Sequence, residues 1–343
     1  MTISGISKGG GGKRLAYLDA LKCLGILLVI SGHVEFFGMD MKDSYASPSS
    51  LMTYSFNMPL FFFVSGYLAF KEHVIGMIQE LKKLGNKFLY LVLPAVVFYC
   101  FSSFSEHGIG GTFNFVQSGF GKYWFTYTLF EMFVLFYFVN AISRTKNMMA
   151  VILAILSIIG VGYLSVFSKY DVALLDFNRL SKYFQFFTLG VFAKMFAPQY
   201  DKLMKNEYVK GLSIICFFCL LFSLYQVNMP GVIFHFLRDI VLRYLGLYVV
   251  VSFFYCNQEV FNSNSKWNNL IMKVGQNSLA IYLLQYFFMP DFSAFPEWLA
   301  GLDTLSTFAI SFAYTIFITT LCMVFIELLS NSVFVKRYIL GKK

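Results

Sequence analysis

Charged side chains are scarce in this chain of 343 residues. Asp, Glu, Lys and Arg together make up 13% of it, whereas 58% is hydrophobic and the mean hydropathy is +0.65. A soluble globular domain is usually about a quarter charged. The composition therefore excludes an ordinary soluble protein and predicts one embedded in lipid. The net charge of +9 is too thinly spread to form a nucleic-acid-binding surface.

Metal ligands and paired cysteines are also few. The four histidines are scattered without metal-ligand spacing, and His73, His107 and His235 receive no role. Cys216 and Cys219 form a CxxC pattern inside a continuous apolar run with no His or Cys partner nearby, which favours packing over a zinc or redox site. We therefore expect no metal, no permanently bound cofactor and no disulfide framework.

A cleavable leader is not expected either. The apolar run 15–37 is too long for a secretory signal core and lacks an A-x-A cleavage pattern. We interpret it as a retained first transmembrane helix, preceded by a flexible basic cytoplasmic tail over 1–14. No internal repeat or separate soluble domain is visible, so 1–343 is predicted to be a single membrane domain.

Long apolar segments dominate the rest of the sequence. A bilayer core of about 30 Å needs about 20 apolar residues of helix. Nineteen Lys and Arg fall at the termini and in even-numbered loops, against six in odd-numbered loops, which places both termini in the cytoplasm. The predicted fold is an all-α polytopic bundle of about ten transmembrane helices. The ten segments are 15–37, 51–70, 87–104, 123–142, 148–167, 180–197, 209–227, 236–255, 272–289 and 306–329.

Ionisable residues lie inside the first segment, and three of them share one helical face. Asp19, Lys22 and His33 are costly in lipid and are therefore functional candidates. Eleven residues of α-helix turn within about 20° of three full turns, so Lys22 and His33 share a face, which we expect to point into the bundle. Asp19 and Lys22 are spaced to pair on that face. His33, towards the outer leaflet, is a candidate general base, or a histidine satisfied by a neighbouring carbonyl.

Each of the other polar residues within segments has more than one interpretation. Glu131 is a proton acceptor, the counter-charge of Lys22, or a protonated packing residue. Arg238 and Arg243 hold an anionic lipid-linked sugar, or snorkel to headgroups. Asn57 and Ser65 bind substrate, or join neighbouring helices.

Several motifs resemble those of one known family. Residues 14–22 (RLAYLDALK), followed by His33, resemble the first-helix signature of the acyltransferase-3 family of integral membrane O-acyltransferases. Residues 57–67 (NMPLFFFVSGY) are similar to its second-helix motif. Residues 123–125 (YWF) and 275–285 (GQNSLAIYLLQ) resemble a middle and a late helix of the family.

The sequence also departs from that family's pattern. The basic residue of the first helix is usually Arg, and Lys22 keeps its charge but loses the planar fork. A lysine there resembles the sugar acetylase-like branch. Gln285 stands where His is common, and Asn57 also departs from the pattern, so the resemblance assigns neither a catalytic duty.

The resemblance implies transfer of an acyl group, usually acetyl from cytosolic acetyl-CoA, to a hydroxyl group of a surface or lipid-linked glycan. It implies a bacterial plasma (inner) membrane protein, and a homo-oligomer is left open. His33 is expected to act as a base or a transient acyl carrier, with Lys22, held by Asp19, or Ser65 stabilising the oxyanion or holding the donor. The CoA phosphates are expected near Lys82, Lys83 and Lys87, which are otherwise ordinary topology determinants.

Other functions remain open at this point. A transporter or flippase of lipid-linked sugars also places charges inside a bundle, although the matched broken helices of transporters are not visible. A non-catalytic scaffold or receptor, a succinyltransferase and an acyltransferase acting on antibiotics are further alternatives.

Overall fold

The described part of the chain is helical. A computed structural model describes residues 15–41, 48–71, 77–112, 120–167, 176–226, 232–292 and 294–342, and these ranges contain no strand. The predicted tail 1–14 and His73 lie outside them, as do the side chains of His107 and His235. The helices are α1 Ala16–His33, α2 Pro48–Ala69, α3 Met77–Lys87, α4 Leu93–Thr112, α5 Trp124–Ile142, α6 Lys146–Phe167, α7 Phe177–Met195, α8 Ala197–Met204, α9 Glu207–Gln226, α10 Val232–Cys256, α11 Gln258–Asn262, α12 Lys266–Gln276, α13 Ser278–Leu284, α14 Pro296–Ala300 and α15 Thr304–Leu329.

Six continuous helical stretches of the described chain are long and apolar enough to cross a membrane. This confirms the all-α polytopic class, whereas the count of ten crossings and the cytoplasmic termini stay predictions. The six stretches are Ala16–Gly38, Ile78–Ser105, Gly121–Ile142, Lys146–Leu164, Leu237–Cys256 and Thr304–Leu329.

The ninth predicted segment, 272–289, is not one helix. α12 ends at Gln276, and after Asn277 the chain starts again as α13, which continues into a 3₁₀ turn at Gln285–Phe288. The Asn277 side chain donates to the Lys273 carbonyl oxygen at 2.7 Å and so caps α12. The apolar part therefore begins at Ser278 and is shorter than the sequence suggested.

Close backbone contacts through glycine hold the central helices together. A Cβ added at Gly66 would overlap the carbonyl oxygen of Phe187, and one at Gly190 would overlap that of Phe63. α2 and α7 therefore cross where only glycine fits on either side. Gly275 meets the Asp19 carbonyl oxygen in the same way and fixes the end of α12 against the start of α1.

α1 occupies the centre of the bundle. In the stretch Ala16–Gly38, which contains α1, 56% of the most apolar 18 residues are buried inside the protein. In the stretch Lys146–Leu164, which belongs to α6, the share is 11%. Leu18, Leu21, Ile26 and Ile30 are almost fully enclosed. Because α1 is surrounded by protein, its ionisable side chains have protein neighbours instead of lipid, as the sequence analysis expected.

Candidate functional site

His33 is the last residue of α1, where the α-helix passes into a π turn at Val34–Gly38. Its imidazole packs against two aromatic rings, with centroid distances of 5.5 Å to Phe37 and 5.1 Å to Tyr286, and these two rings also contact each other at 5.9 Å. The ring is half-buried, and its Nδ1 atom is buried without a hydrogen-bond partner among the described residues. A buried nitrogen of this kind is available to a substrate or a water molecule.

Gln285 lies against the imidazole of His33 and is completely buried. Its side-chain nitrogen donates to the Tyr282 carbonyl oxygen at 3.1 Å. Apart from the contact between these two side chains, its side-chain oxygen and Nδ1 of His33 have no hydrogen-bond partner within the described chain. Sequence reasoning gave Gln285 no role, and the signal that pointed to it was the late-helix motif that ends on this residue.

Two tyrosines fasten this part of the chain to the start of α5. The hydroxyl groups of Tyr282 and Tyr286 both donate to the carbonyl oxygen of Lys122, at 2.7 and 2.8 Å. They are four residues apart and so lie on one side of the helical segment. The Tyr286 ring that contacts His33 is thereby held in a fixed position.

Asp19 and Lys22 form the predicted ion pair. The Lys22 ammonium lies 2.6 Å from an Asp19 carboxylate oxygen, and their side chains are 19% and 4% exposed. Eleven residues of helix rise about 16 Å, so this pair is about three turns away from His33.

An inner cavity of about 230 Å³ opens beside Lys22. Its wall includes one stripe of α1, namely Lys22, Ile26 and Val29, and on the facing helices Ser65 and Tyr282. Apart from these polar groups and Lys87, most of the lining is apolar. The cavity therefore suits a long, mostly uncharged group that enters end-on.

A second space of about 380 Å³ adjoins the inner cavity on the predicted cytoplasmic side, and we call it the basic mouth. It is lined by Lys71, Lys83 and Lys87, and Lys87 lines both spaces. The Lys83 ammonium also pairs with Glu80 at 2.7 Å. Lys82 is exposed and lines neither space, whereas Lys71, which sequence reasoning treated only as a topology signal, lines the mouth.

The C-terminal end of the described chain forms part of this mouth. Leu340 is fully buried, and Gly341, with φ of +63°, is among the lining residues. A Cβ at Gly341 would overlap the carbonyl oxygen of Tyr90. The chain end is therefore packed against the π turn at Phe88–Val92.

An outer cavity of about 520 Å³ lies beyond His33. It combines aromatic rings, hydroxyl groups and one charge of each sign, a mixture suited to a polar ligand with apolar faces, and its volume is in the usual range for small-molecule sites. Its lining is formed by Phe37, Tyr99, Ser102, Ser103, Gly121, Lys122, Tyr286, Met289, Pro290 and Asp291.

His33 lies between the two cavities along α1, although it is not among the lining residues of either. Val29, four residues before it, lines the inner cavity, and Phe37, four residues after it, lines the outer one. Across from α1, Tyr282 lines the inner cavity and Tyr286 the outer one. Steps of four residues keep to one helical face, so the stripe of α1 runs from Lys22 past His33 to the outer cavity.

The other predicted site residues are not gathered here. The Asn57 side chain accepts from the amide of Met58 at 2.6 Å, and Asn57 lines none of the three spaces described. Glu131 does not pair with Lys22, whose counter-ion is Asp19. It lies near Tyr127 and Asp176.

Arg238 and Arg243 belong to α10 and line none of these three spaces. The Arg243 guanidinium carbon lies 5.9 Å from the centre of the Tyr183 ring. Their predicted part in substrate binding stays a prediction. In the described part of the chain, no group of three or more His, Cys, Asp or Glu is placed to hold a metal ion.

Comparison with known proteins gives this arrangement a chemical context. The acyltransferase domain model of the acyltransferase-3 family matches residues 15–327. The nodulation protein NolL of Sinorhizobium fredii is 25% identical over 306 residues, which cover 82% of this chain and 80% of that protein. No solved structure gives a significant match. The matched range includes α1, the residues that line the inner and outer cavities, and both Tyr282 and Gln285. The chain is therefore a multi-pass membrane acyltransferase that belongs to the acyltransferase-3 family.

Proposed function

We propose that this acyltransferase moves an acetyl group from cytosolic acetyl-CoA to a hydroxyl group of a surface or lipid-linked glycan. The observation that supports it most is the position of His33 between an inner cavity that begins at the basic mouth and an outer cavity with aromatic and hydroxyl lining. The donor enters from one side of the imidazole and the acceptor from the other. Exclusion of bulk water at the meeting point protects the thioester from hydrolysis.

The basic mouth fits the charged end of acetyl-CoA. Its phosphate groups are anionic, and Lys71, Lys83 and Lys87 supply ammonium groups around the opening. The pantetheine arm is long, flexible and nearly uncharged, which suits the mostly apolar inner cavity. This arm carries the thioester along the stripe of α1 towards His33.

Lys22 holds the donor in this proposal and does not stabilise the oxyanion. The reacting carbonyl must lie near His33, and Lys22 is about 16 Å away along the helix axis. Ser65 shares the inner cavity with Lys22 and contributes to the same binding region. The donor-holding alternative of the sequence analysis is therefore the one that we retain.

The transfer step uses His33 as a general base. The imidazole accepts the proton of the acceptor hydroxyl group as its oxygen attacks the thioester carbonyl carbon. The carbon–sulfur bond then breaks, and the departing thiolate takes the proton from the imidazolium to give CoA. Gln285, next to the ring, orients the imidazole through its side-chain amide.

The first test is His33→Ala. Mass spectrometry of surface glycans should show loss of the acetyl mass in a strain that carries this variant, at unchanged protein level and membrane insertion. His73→Ala, at a position without an assigned role, is the matched control and should retain acetylation. Normal acetylation in the His33→Ala strain would remove His33 from the mechanism.

A further inference from the structure

Three basic side chains and two aromatic rings come together near the predicted outer ends of α5, α7 and α10. We call them the outer cluster, which consists of Arg179, Lys182, Arg243, Trp124 and Tyr183. The positive-inside bias disfavours Lys and Arg on this side of the membrane. Two of the six cations that the predicted topology assigns to outer loops, Arg179 and Lys182, are nonetheless found together here.

The aromatic rings hold the cations in place. Trp124 and Tyr183 are stacked with centroids 5.8 Å apart. The guanidinium carbon of Arg179 lies 4.8 Å from the centre of the Trp124 ring. The ammonium of Lys182 and the guanidinium carbon of Arg243 lie 5.6 and 5.9 Å from the centre of the Tyr183 ring. Contacts of this kind orient a cation without neutralising its charge.

Positive charge exceeds negative charge around Lys182. Arg179 pairs with Asp176 at 2.6 Å, and Glu131 also lies near that carboxylate. Lys182 itself is close to two cations, Arg179 and Arg243, and to one carboxylate, Asp239. Lys182 lies close enough to Arg179 and Arg243 for mutual repulsion. An anionic ligand would relieve this repulsion, and Arg179, whose side chain is 41% exposed, leaves the cluster open to such a ligand.

The cluster is connected to the reaction centre through two tyrosines. Arg179 acts electrostatically on Tyr282, whose ring centroid is 6.1 Å from that of Tyr286. Tyr286 lies 5.1 Å from the His33 ring. The cluster residues do not line the outer cavity, but this series of contacts places the cluster within reach of an extended acceptor that also contacts His33.

We propose that the outer cluster binds a negatively charged group of the glycan acceptor, either a phosphate or a carboxylate, and so presents a neighbouring hydroxyl group to His33. Guanidinium and ammonium groups bind such oxyanions through charge-assisted hydrogen bonds. This inference rests on the proposed function, since it names the chemistry of that acceptor. Arginines at a membrane surface also bind lipid headgroups, but Lys182 and Arg243 are half-buried over Tyr183 instead of extended towards lipid.

Trp124 provides a direct readout of binding. The chain has three tryptophans, so Trp267→Phe with Trp298→Phe leaves Trp124 as the single indole fluorophore. In phosphatidylcholine nanodiscs, this protein is titrated with galactose 1-phosphate, galacturonate and galactose. We expect saturable fluorescence changes with at least one of the anionic sugars and at least ten-fold weaker binding of galactose. Tighter binding of galactose 1-phosphate would identify a glycosyl phosphate as the preferred anion, and tighter binding of galacturonate would identify an acidic sugar.

Charge removal is the second arm of the test. Lys182→Gln and Arg243→Gln should each weaken binding of the anionic sugar about ten-fold, whereas Lys205→Gln, an exposed lysine paired with Asp201, should leave it unchanged. Equal binding of galactose, no response to any sugar, or no effect of either variant would overturn the proposal. The titration is repeated in nanodiscs that contain phosphatidylglycerol. A fluorescence signal that is already saturated there before sugar is added would also overturn the proposal, because the cluster would then be a headgroup site.

Kinetics with the cell's own surface glycan separates this inference from the proposed function. Lys182→Gln and Arg243→Gln should raise the KM for the acceptor and leave the KM for acetyl-CoA unchanged. If these variants have normal kinetics while His33→Ala is inactive, only the acceptor inference fails. If the wild-type protein transfers no acetyl group, the proposed function fails, and the fluorescence result still decides whether the cluster binds anions.

Discussion

Gln285 lies against the imidazole of His33 while its own side-chain nitrogen is engaged by the Tyr282 carbonyl oxygen at 3.1 Å. This fixes which end of the amide faces the histidine. The amide oxygen is the end that remains to face the ring. It can accept a hydrogen bond from the protonated ring nitrogen, which leaves the other ring nitrogen basic. A glutamine here orients the imidazole without adding a second titratable group.

Gln285→Leu should therefore lower kcat by about ten- to a hundred-fold, a range that corresponds to the loss of one or two well-placed hydrogen bonds. The KM for acetyl-CoA should not change, because the inner cavity and the basic mouth do not include this residue. Gln285→Glu, which keeps an acceptor oxygen, is the matched variant and should retain more activity than the leucine variant. Equal kcat values for wild type and Gln285→Leu would rule out the orienting role.

The Asp19–Lys22 pair allows structure and chemistry to be separated. Lys22→Met removes the ammonium group that pairs with the buried Asp19 carboxylate, which should cost about 3–5 kcal/mol of stability. The double variant Asp19→Asn with Lys22→Met removes both charges and should recover most of that loss, as measured by thermal unfolding in detergent. Activity should stay low in the double variant, since the donor has lost its ammonium contact.

Lys22→Arg is the companion of those variants. It keeps the charge and the reach to Asp19, so most activity should remain if charge alone matters. A large loss with normal stability would show that the ammonium group has a more exacting role. Full activity in the uncharged double variant would exclude any part for Lys22 in donor binding.

The basic mouth predicts a specific pattern among neighbouring lysines. Lys71→Gln and Lys87→Gln should each raise the KM for acetyl-CoA about ten-fold, while kcat stays nearly constant, because charge-assisted contacts to phosphate are worth about 1.5–3 kcal/mol before screening. Lys82→Gln is the control, since Lys82 is next to these residues but exposed and outside the lining.

Acetyl-dephospho-CoA sharpens the same experiment. If the mouth binds the ribose phosphate, wild-type protein should have a lower KM for acetyl-CoA than for acetyl-dephospho-CoA. The Lys71→Gln and Lys87→Gln proteins should show a smaller difference between these two KM values, and added salt should reduce that difference further. A Lys82→Gln protein that is as impaired as Lys87→Gln would place the phosphates outside the mouth.

The α2–α7 crossing should be sensitive to a single methyl group. Gly66→Ala places its Cβ on the Phe187 carbonyl oxygen, and backbone has little freedom to move away, so we expect a loss of at least about 1–3 kcal/mol. Gly211→Ala, at an open position of α9, should be neutral or slightly stabilising because alanine favours helix. Unfolding midpoints in detergent compare the two. A Gly66→Ala protein as stable as wild type would contradict the close approach.

Sequence reasoning succeeded where the physics is local. The pairing of Asp19 with Lys22 follows from helix geometry alone, and the structure confirms it. The common face of Lys22 and His33 follows from the same geometry, and Val29 and Phe37, four residues either side of His33, line the inner and the outer cavity. The all-α membrane class follows from composition. The family was also predictable, because the α1 and α2 motifs are continuous in sequence.

It failed where distant parts of the chain meet. Gln285 reaches His33 only because the break at Asn277 and the Lys122 carbonyl oxygen position its helical segment. No periodicity in the sequence reports these two constraints. In the same way, the sequence does not indicate which residue of another helix a glutamate inside a transmembrane helix will contact. Glu131 lies near Asp176 and not near Lys22.

The packing of Leu340 and Gly341 has a practical consequence. Leu340 is enclosed and Gly341 lies at the rim of the lysine-lined opening, so any polypeptide joined after Lys342 would continue from a point beside the route that we assign to the cytosolic thioester. Purification handles and reporters are better attached at the amino terminus. A carboxy-terminal fusion would reduce turnover by obstruction and could be mistaken for a defect in the enzyme itself.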